Sequence, residues 1–290
     1  MKNYINHVFL KNKNFIIKNG EGKIINFKLS PFLIKSANKE IKREFFEKLK
    51  HFLLTLTENC PSFNLEQFQN NFKKIQFKLY KDSNNNTSSV IFLRKKCKLY
   101  NLDSMYHELL HLASIRVVGA VEYCGLSESY YEYGDSFGVG LNEGYTQLLK
   151  ERYFGKDKSI VYPLEIQIAS IVEKIVGKDI MENCFFQANL KNLCNILKKY
   201  NSENNIRYFL NDLDKLHNCI NNFDNDNIKI QKLYDNINLF LLECLKNKQI
   251  IENVDMNNYI DTLYNQDISL TYTNKEVIIL KKLNKPDRHK

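Results

Sequence analysis

The chain is predicted to be an α+β protein, with a small N-terminal sheet region followed by a mainly helical C-terminal lobe. Three observations carry that prediction. Short apolar runs with period-two alternation, separated by turn residues, concentrate before residue 100. Beyond Phe154, apolar residues recur at three- and four-residue steps in one segment after another. Nowhere is there an apolar run long enough for a membrane-spanning helix.

Near the N-terminus, Phe15-Ile16-Ile17 and Ile24-Ile25, with Gly20 and Gly22 between them, read as short strands or a hairpin. Residues 38–57 form a helix on the stripe Ile41, Phe45, Leu49, Phe52, Leu53 and Leu56, and a second helix covers 64–73. Ile75, Phe77 and Leu79 alternate as a strand, Asp82 to Ser89 is a polar turn, and Val90-Ile91-Phe92-Leu93 is a buried strand. A further helix opens with Asp103 or Ser104 as N-cap and meets no Pro or Gly until Gly119. Leu109, Leu112 and Ala113 form its apolar stripe, and His107, His111 and Ser114 a separate one, so it reads as amphipathic.

The acidic and aromatic segment Gly125 to Asp135 reads as a solvated hairpin. Its functional alternative is selection of a basic or aromatic substrate residue by charge and stacking. The next helix, over about 140–153, has Tyr145, Leu148, Leu149 and Tyr153 on a buried stripe, with Glu143, Thr146, Gln147 and Lys150 on another. Gly144 inside it costs roughly 1 kcal/mol relative to Ala, which asks for a packing reason such as a close crossing by the His107–His111 helix. Pro163 starts a helix that ends at Gly177, and helices follow at about 179–200, 203–221, 227–247 and 253–265. The expected division is an α+β half over 1–155, a helical lobe over 156–267, and a tail over 268–290 that forms a strand before a basic end.

The most informative residues are His107-Glu108-Leu109-Leu110-His111. On a helix, residues four apart share a face with Cβ atoms roughly 5–6 Å apart. Both imidazoles can then direct a nitrogen at one ion about 2.0–2.1 Å away. Glu108, one step round the helix, flanks that ion as the base for an activated water. The four other histidines do not repeat the spacing, so chance decoration of a helix is the weaker explanation. A catalytic zinc takes three protein ligands and keeps one position open. Ser114 and Val117 stand where a three-histidine form of the motif would have Gly and His, so the third ligand comes from further along. Glu122, Glu128, Glu132, Asp135 and Glu143 are the acidic candidates; Glu143 stands out because it opens the Leu141-Asn142-Glu143-Gly144-Tyr145-Thr146 helix.

With 31 residues between the second histidine and Glu143, this pattern resembles the gluzincin group of zinc metallopeptidases over Met105 to Tyr153. The resemblance implies a zincin-like fold, Zn²⁺ as cofactor, His107, His111 and Glu143 as ligands, and Glu108 as general base and proton shuttle in peptide-bond hydrolysis. It also implies an oxyanion donor, for which Tyr133, Tyr131 and His217 are the candidates. His217 shares an apolar stripe with Leu213, Leu216 and Ile220, as a core histidine would. Gln147 stands where thermolysin-like members carry an Asp that orients a zinc-bound imidazole; Thr146 or Gln147 would orient the ring in this chain. The inter-ligand spacing is longer than in the best-known members, and the exopeptidase motif Gly-Ala-Met-Glu-Asn is absent.

Composition bounds the remaining possibilities. A chain of 290 residues with 43 % hydrophobic content, 19 Phe and 17 Tyr builds a full core as one domain or two packed lobes. Seven cysteines without paired spacing read as free thiols of a reducing compartment. The N-terminus shows no secretory h-region, so the cytoplasm is expected, with signal-less export still compatible. The net charge of +9 comes from lysines spread along the chain, and Arg94-Lys95-Lys96-Cys97-Lys98 with the C-terminal run reads as solvated surface rather than a nucleic-acid interface. The expected partner is a peptide or protein substrate, with no membrane. Two alternatives stand beside it: a zinc hydrolase of a non-peptide amide or ester, and a catalytically inactive zincin-like module for binding or sensing.

Overall fold

A computed structural model describes residues 9–11, 14–18, 24–28, 39–73, 77–79, 90–92, 96–99, 104–130, 134–156, 162–222 and 226–248. The fold is mixed helix and sheet and mostly helical. It divides into two compact units, 1–115 and 116–290. The expected helix at 253–265 and the tail from 268 lie outside the described residues.

The first unit opens with β1 (Phe9–Lys11), β2 (Asn14–Lys18) and β3 (Ile24–Lys28), an antiparallel meander in the order β1-β2-β3. Two helices come next among the described residues, α1 (Lys39–Asn59) and α2 (Leu65–Lys73), close to the expected spans. A second small sheet has the order β4-β6-β5, with β4 (Phe77–Leu79) parallel and β5 (Val90–Phe92) antiparallel to β6 (Lys96–Leu99). The predicted stripe of α1 is the core: Phe45, Leu49, Phe52, Leu53 and Leu56 are buried, and the Phe52 ring lies 5.2 Å from Phe68 of α2. On this base rests α3 (Met105–Ser114), tied to α1 where His51 Nδ1 meets the Tyr106 hydroxyl at 3.0 Å.

Helix α3 corrects two expectations. It stops at Ser114, because Ile115-Arg116-Val117-Val118 is a largely β-branched run and turns extended at Ile115. It is also buried on nearly every face, with Tyr106 its least buried residue, so the amphipathic reading does not show as an exposed polar face. The abrupt stop leaves terminal carbonyls without helical donors. Side-chain amides of α2 supply them. Asn71 Nδ2 donates to Leu112 O at 3.0 Å and Ile115 O at 2.9 Å, and Gln67 Nε2 donates to Ala113 O at 3.4 Å and Ile115 O at 3.3 Å. Asn71→Ala is therefore expected to lower stability by about 1–3 kcal/mol in urea unfolding, the usual cost of stranding part-buried acceptors. An unchanged midpoint and slope would show that water replaces the amide without loss.

From the boundary at Ile115 onward come the short strands β7 (Ile115–Val118), β8 (Val121–Cys124), β9 (Ser127–Tyr130) and β10 (Ser136–Phe137), in a small antiparallel sheet of order β10-β9-β8-β7. The acidic-aromatic segment thus enters the sheet as β9, with residues 131–133 outside the described set. The helices then run α4 (Val139–Phe154), α5 (Pro163–Val176), α6 (Lys178–Phe186), α7 (Leu190–Leu197), α8 (Glu203–Asn221) and α9 (Asn227–Asn247). Pro163 sits in the first turn of α5 and Gly177 caps its end, as anticipated. The single helix expected over 179–200 is two. Ala188 takes a left-handed φ of 47° between them, and Asn189 caps α7 by accepting from Asn192 N at 3.0 Å.

Helices α4, α5 and α6 are lashed by a part-buried polar cluster. Arg152 pairs with Glu173 and with Glu182, Tyr145 Oη donates to Glu173 at 2.7 Å, and Tyr153 Oη donates to Glu182 at 2.8 Å. Burial, then the neighbouring Glu173 charge, pushes the Tyr145 phenol far above its ordinary range, so it stays protonated and can donate to Glu173. The close crossing that Gly144 requires is made by α5 and not by α3: a Cβ on Gly144 would lie 2.2 Å from Glu165 O. Among the described residues no helix is long and apolar enough to cross a membrane.

Candidate metal centre

Helix α3 sets His107 and His111 one turn apart, and their Nε2 atoms are 3.0 Å from each other. Two nitrogens about 2.0–2.1 Å from one tetrahedral ion would stand roughly 3.3 Å apart, so the pair is spaced for shared coordination. Glu143, in the second turn of α4, completes the group: one ligand atom from each of His107, His111 and Glu143 lies within 4.8 Å of the others. The histidines are buried and Glu143 half-buried. Two imidazoles and a carboxylate are a donor set that zinc accepts, and this group could hold a metal ion. Among the described residues it is the one cluster of three His, Cys, Asp or Glu side chains with that property. Glu122 and Glu128, the earlier acidic candidates, are not part of it; Glu128 instead accepts from Tyr130 Oη at 3.2 Å.

Glu108 follows His107 on α3 and is only 7 % exposed. A carboxylate is seldom buried so deeply without a purpose or a partner. Asn142, beside Glu143, accepts from Leu126 N at 2.9 Å and so anchors the start of α4 to the β8–β9 turn. Thr146 and Gln147, the expected orienting residues, are both buried. Thr146 Oγ1 donates to Asn142 O at 2.7 Å, and Gln147 Nε2 reaches Glu151 Oε1 at 3.5 Å.

His217 is more than the core histidine its stripe suggests. From α8 its Nδ1 donates to Glu165 Oε1 at 2.9 Å, while Asn221 Nδ2 donates to its Nε2 at 2.9 Å. Both bonds are satisfied at once when Nδ1 carries the proton. Burial, the largest single influence, pulls its pKa down, but the bond to Glu165 and the charges of Glu165, Glu143 and Asp214 together outweigh it and raise it above the ordinary value. The influence of Glu143 puts His217 in the neighbourhood of the third ligand. Tyr162, at a left-handed φ of 63°, sets its ring 5.4 Å from the imidazole and tilted 46° to it. Tyr131 and Tyr133, the other oxyanion candidates, lie outside the described residues.

Sequence reasoning missed Glu165. An acidic residue in the first turn after Pro163 is fully accounted for by the helix dipole. Only the fold reveals that it is 1 % exposed, is bound to His217, and keeps Oε2 without a hydrogen-bond partner among the described residues.

The chain matches no protein-family model, no curated protein and no solved structure.

Proposed function

We propose that this chain is a zinc-dependent metallopeptidase with a zincin-like fold. The observation that carries the proposal is the convergence of His107, His111 and Glu143, with Glu108 beside the histidines on the same helix. The order of elements supports the fold: small sheets and helices precede the His-Glu-x-x-His helix, the ligand glutamate opens the next helix, and the remainder of the described chain is helical. Bound by these three residues, zinc would acidify a water molecule and polarise the carbonyl to be attacked.

The chain's own groups do the rest. Glu108 accepts the proton of the attacking water and passes it to the departing amine. Its burial keeps competing solvent away and strengthens its interactions with charge. His217, held at Nδ1 by Glu165, is the described candidate for the donor that steadies the oxyanion. That role requires the ring protonated at both nitrogens and its Nε2 released from Asn221. Thr146 and Gln147 are the candidates for orienting the liganding rings. A scaffold used only for binding would have no need of a base next to its metal ligands, which favours catalysis over an inactive module.

The test is elemental analysis with a peptide library. The parent should carry about one zinc per chain, and His107→Ala, His111→Ala and Glu143→Ala should each lose it. Zinc retained in full by Glu143→Ala removes Glu143 from the ligand set. A zinc-loaded parent that cleaves esters or non-peptide amides but no peptide shifts the substrate class while leaving the centre intact.

A further inference from the structure

Helix α4 begins at Gly138, a cap with a left-handed φ of 80° and no side chain of its own to accept the first-turn N–H groups. Asp214, from α8, takes that role. Its Oδ2 accepts from Gly138 N at 2.7 Å and its Oδ1 from Gly140 N at 2.8 Å, so both carboxylate oxygens bridge the start of the helix. The carboxylate is also favourably placed against the positive end of the helix dipole. There is little slack in this junction: a Cβ on Gly140 would lie 2.9 Å from Leu213 O. Glu143 lies one turn beyond Gly140 on α4, and His217 one turn beyond Asp214 on α8. One face of α8 therefore holds the start of the ligand helix and also carries His217.

We propose that Asp214 is a positioning residue of the metal centre, fixing the first turn of α4 so that Glu143 stays within coordination distance; this rests on the proposed metal site. Side-chain tips ride about 5–6 Å from a helix axis, so a rotation of α4 by about 10° carries a carboxylate about 1 Å. Metal–ligand distances tolerate about 0.2 Å. A loosened N-terminus thus weakens the metal while every ligand is still present. An ordinary helix cap, in contrast, affects stability and nothing else.

Asp226 supplies the matched comparison. It caps α9 by accepting from Lys229 N at 3.0 Å, and α9 carries none of the proposed ligands. Zinc affinity is measured by chelator competition on the folded full chain of the parent, Asp214→Ala, Asp214→Asn and Asp226→Ala, with circular dichroism and melting recorded alongside. All three variants should melt earlier than the parent. Asp226→Ala should bind zinc as the parent does, Asp214→Ala about tenfold more weakly, and Asp214→Asn, which keeps one acceptor, in between. Cobalt(II) in place of zinc should show an altered visible spectrum only in the Asp214 variants. Should Asp214→Ala fail to fold, Asp214→Asn carries the measurement. Parent-like zinc affinity and cobalt spectrum in a folded Asp214 variant with a lowered melting point would overturn the inference and leave Asp214 a plain cap. A parent that binds no zinc, or a Glu143→Ala variant that binds it equally well, instead overturns the metal site itself.

Discussion

Glu108→Gln is expected to keep its zinc and to lose peptide hydrolysis by about 10²–10⁴-fold, the range a positioned general base contributes. The substitution changes one atom, preserves side-chain length, and leaves His107, His111 and Glu143 untouched. An amide cannot take a proton from water, so the first step loses its base, and it cannot then return that proton to the leaving amine. The burial of Glu108, at 7 % exposure, sharpens the expectation, because bulk water is poorly placed to substitute as a base. The measurement needs both halves: zinc content by elemental analysis, and initial rates on a peptide that the parent cleaves. A variant with full zinc and a parent-like rate would show that Glu108 is not the base. One that lost its zinc would show the carboxylate supporting the metal, and the proposed division of roles among the four residues would fail.

Much of this fold is legible in local sequence. The stripe of α1, the Pro163 start and Gly177 stop of α5, and the spans of α8 and α9 all follow from periodicity and end signals that act within a few residues. The motif on α3 is local in the same way, since residues four apart must share a face. What sequence does not carry is the identity of distant partners. The β-branched run ends α3 locally, but the amides that satisfy the carbonyls released there come from α2, about 40 residues away in sequence. The break between α6 and α7 turns on a single left-handed residue, Ala188, which has no glycine to advertise it. Burial of α3 and α4 on their polar as well as apolar faces hides both from amphipathicity, because a helix surrounded by protein has no solvent side to mark. Glu165 is the clearest case. Its composition and position are those of a helix-start carboxylate, and only the third dimension joins it to His217.

Gly144→Ala is expected to be among the most damaging single methyl additions in the second unit. In an isolated helix the change would gain up to about 1 kcal/mol. In the folded chain the added Cβ would lie 2.2 Å from Glu165 O, 2.3 Å from Glu165 C and 2.8 Å from Glu165 Cβ. The first two are backbone atoms, which no rotamer change can remove, so α4 and α5 must separate by about 1 Å to restore van der Waals distance. Separation strains the ties of Tyr145 Oη and Arg152 to Glu173, and a shift of α5 also disturbs the bond of Glu165 to His217 on α8. Overpacking in a close-packed interior costs typically about 1–3 kcal/mol and more where backbone must move. A loss of about 3 kcal/mol would lower the melting temperature of a domain this size by roughly 6–12 °C. Because the displaced helix carries the partner of His217 and the substituted one carries Glu143, zinc affinity should fall together with stability. Urea unfolding of the zinc-free protein and chelator competition on the folded variant measure the two effects separately. Gly144→Ala as stable as the parent would mean that α4 and α5 do not cross at this point, and close helix packing would no longer account for a glycine beside the ligand.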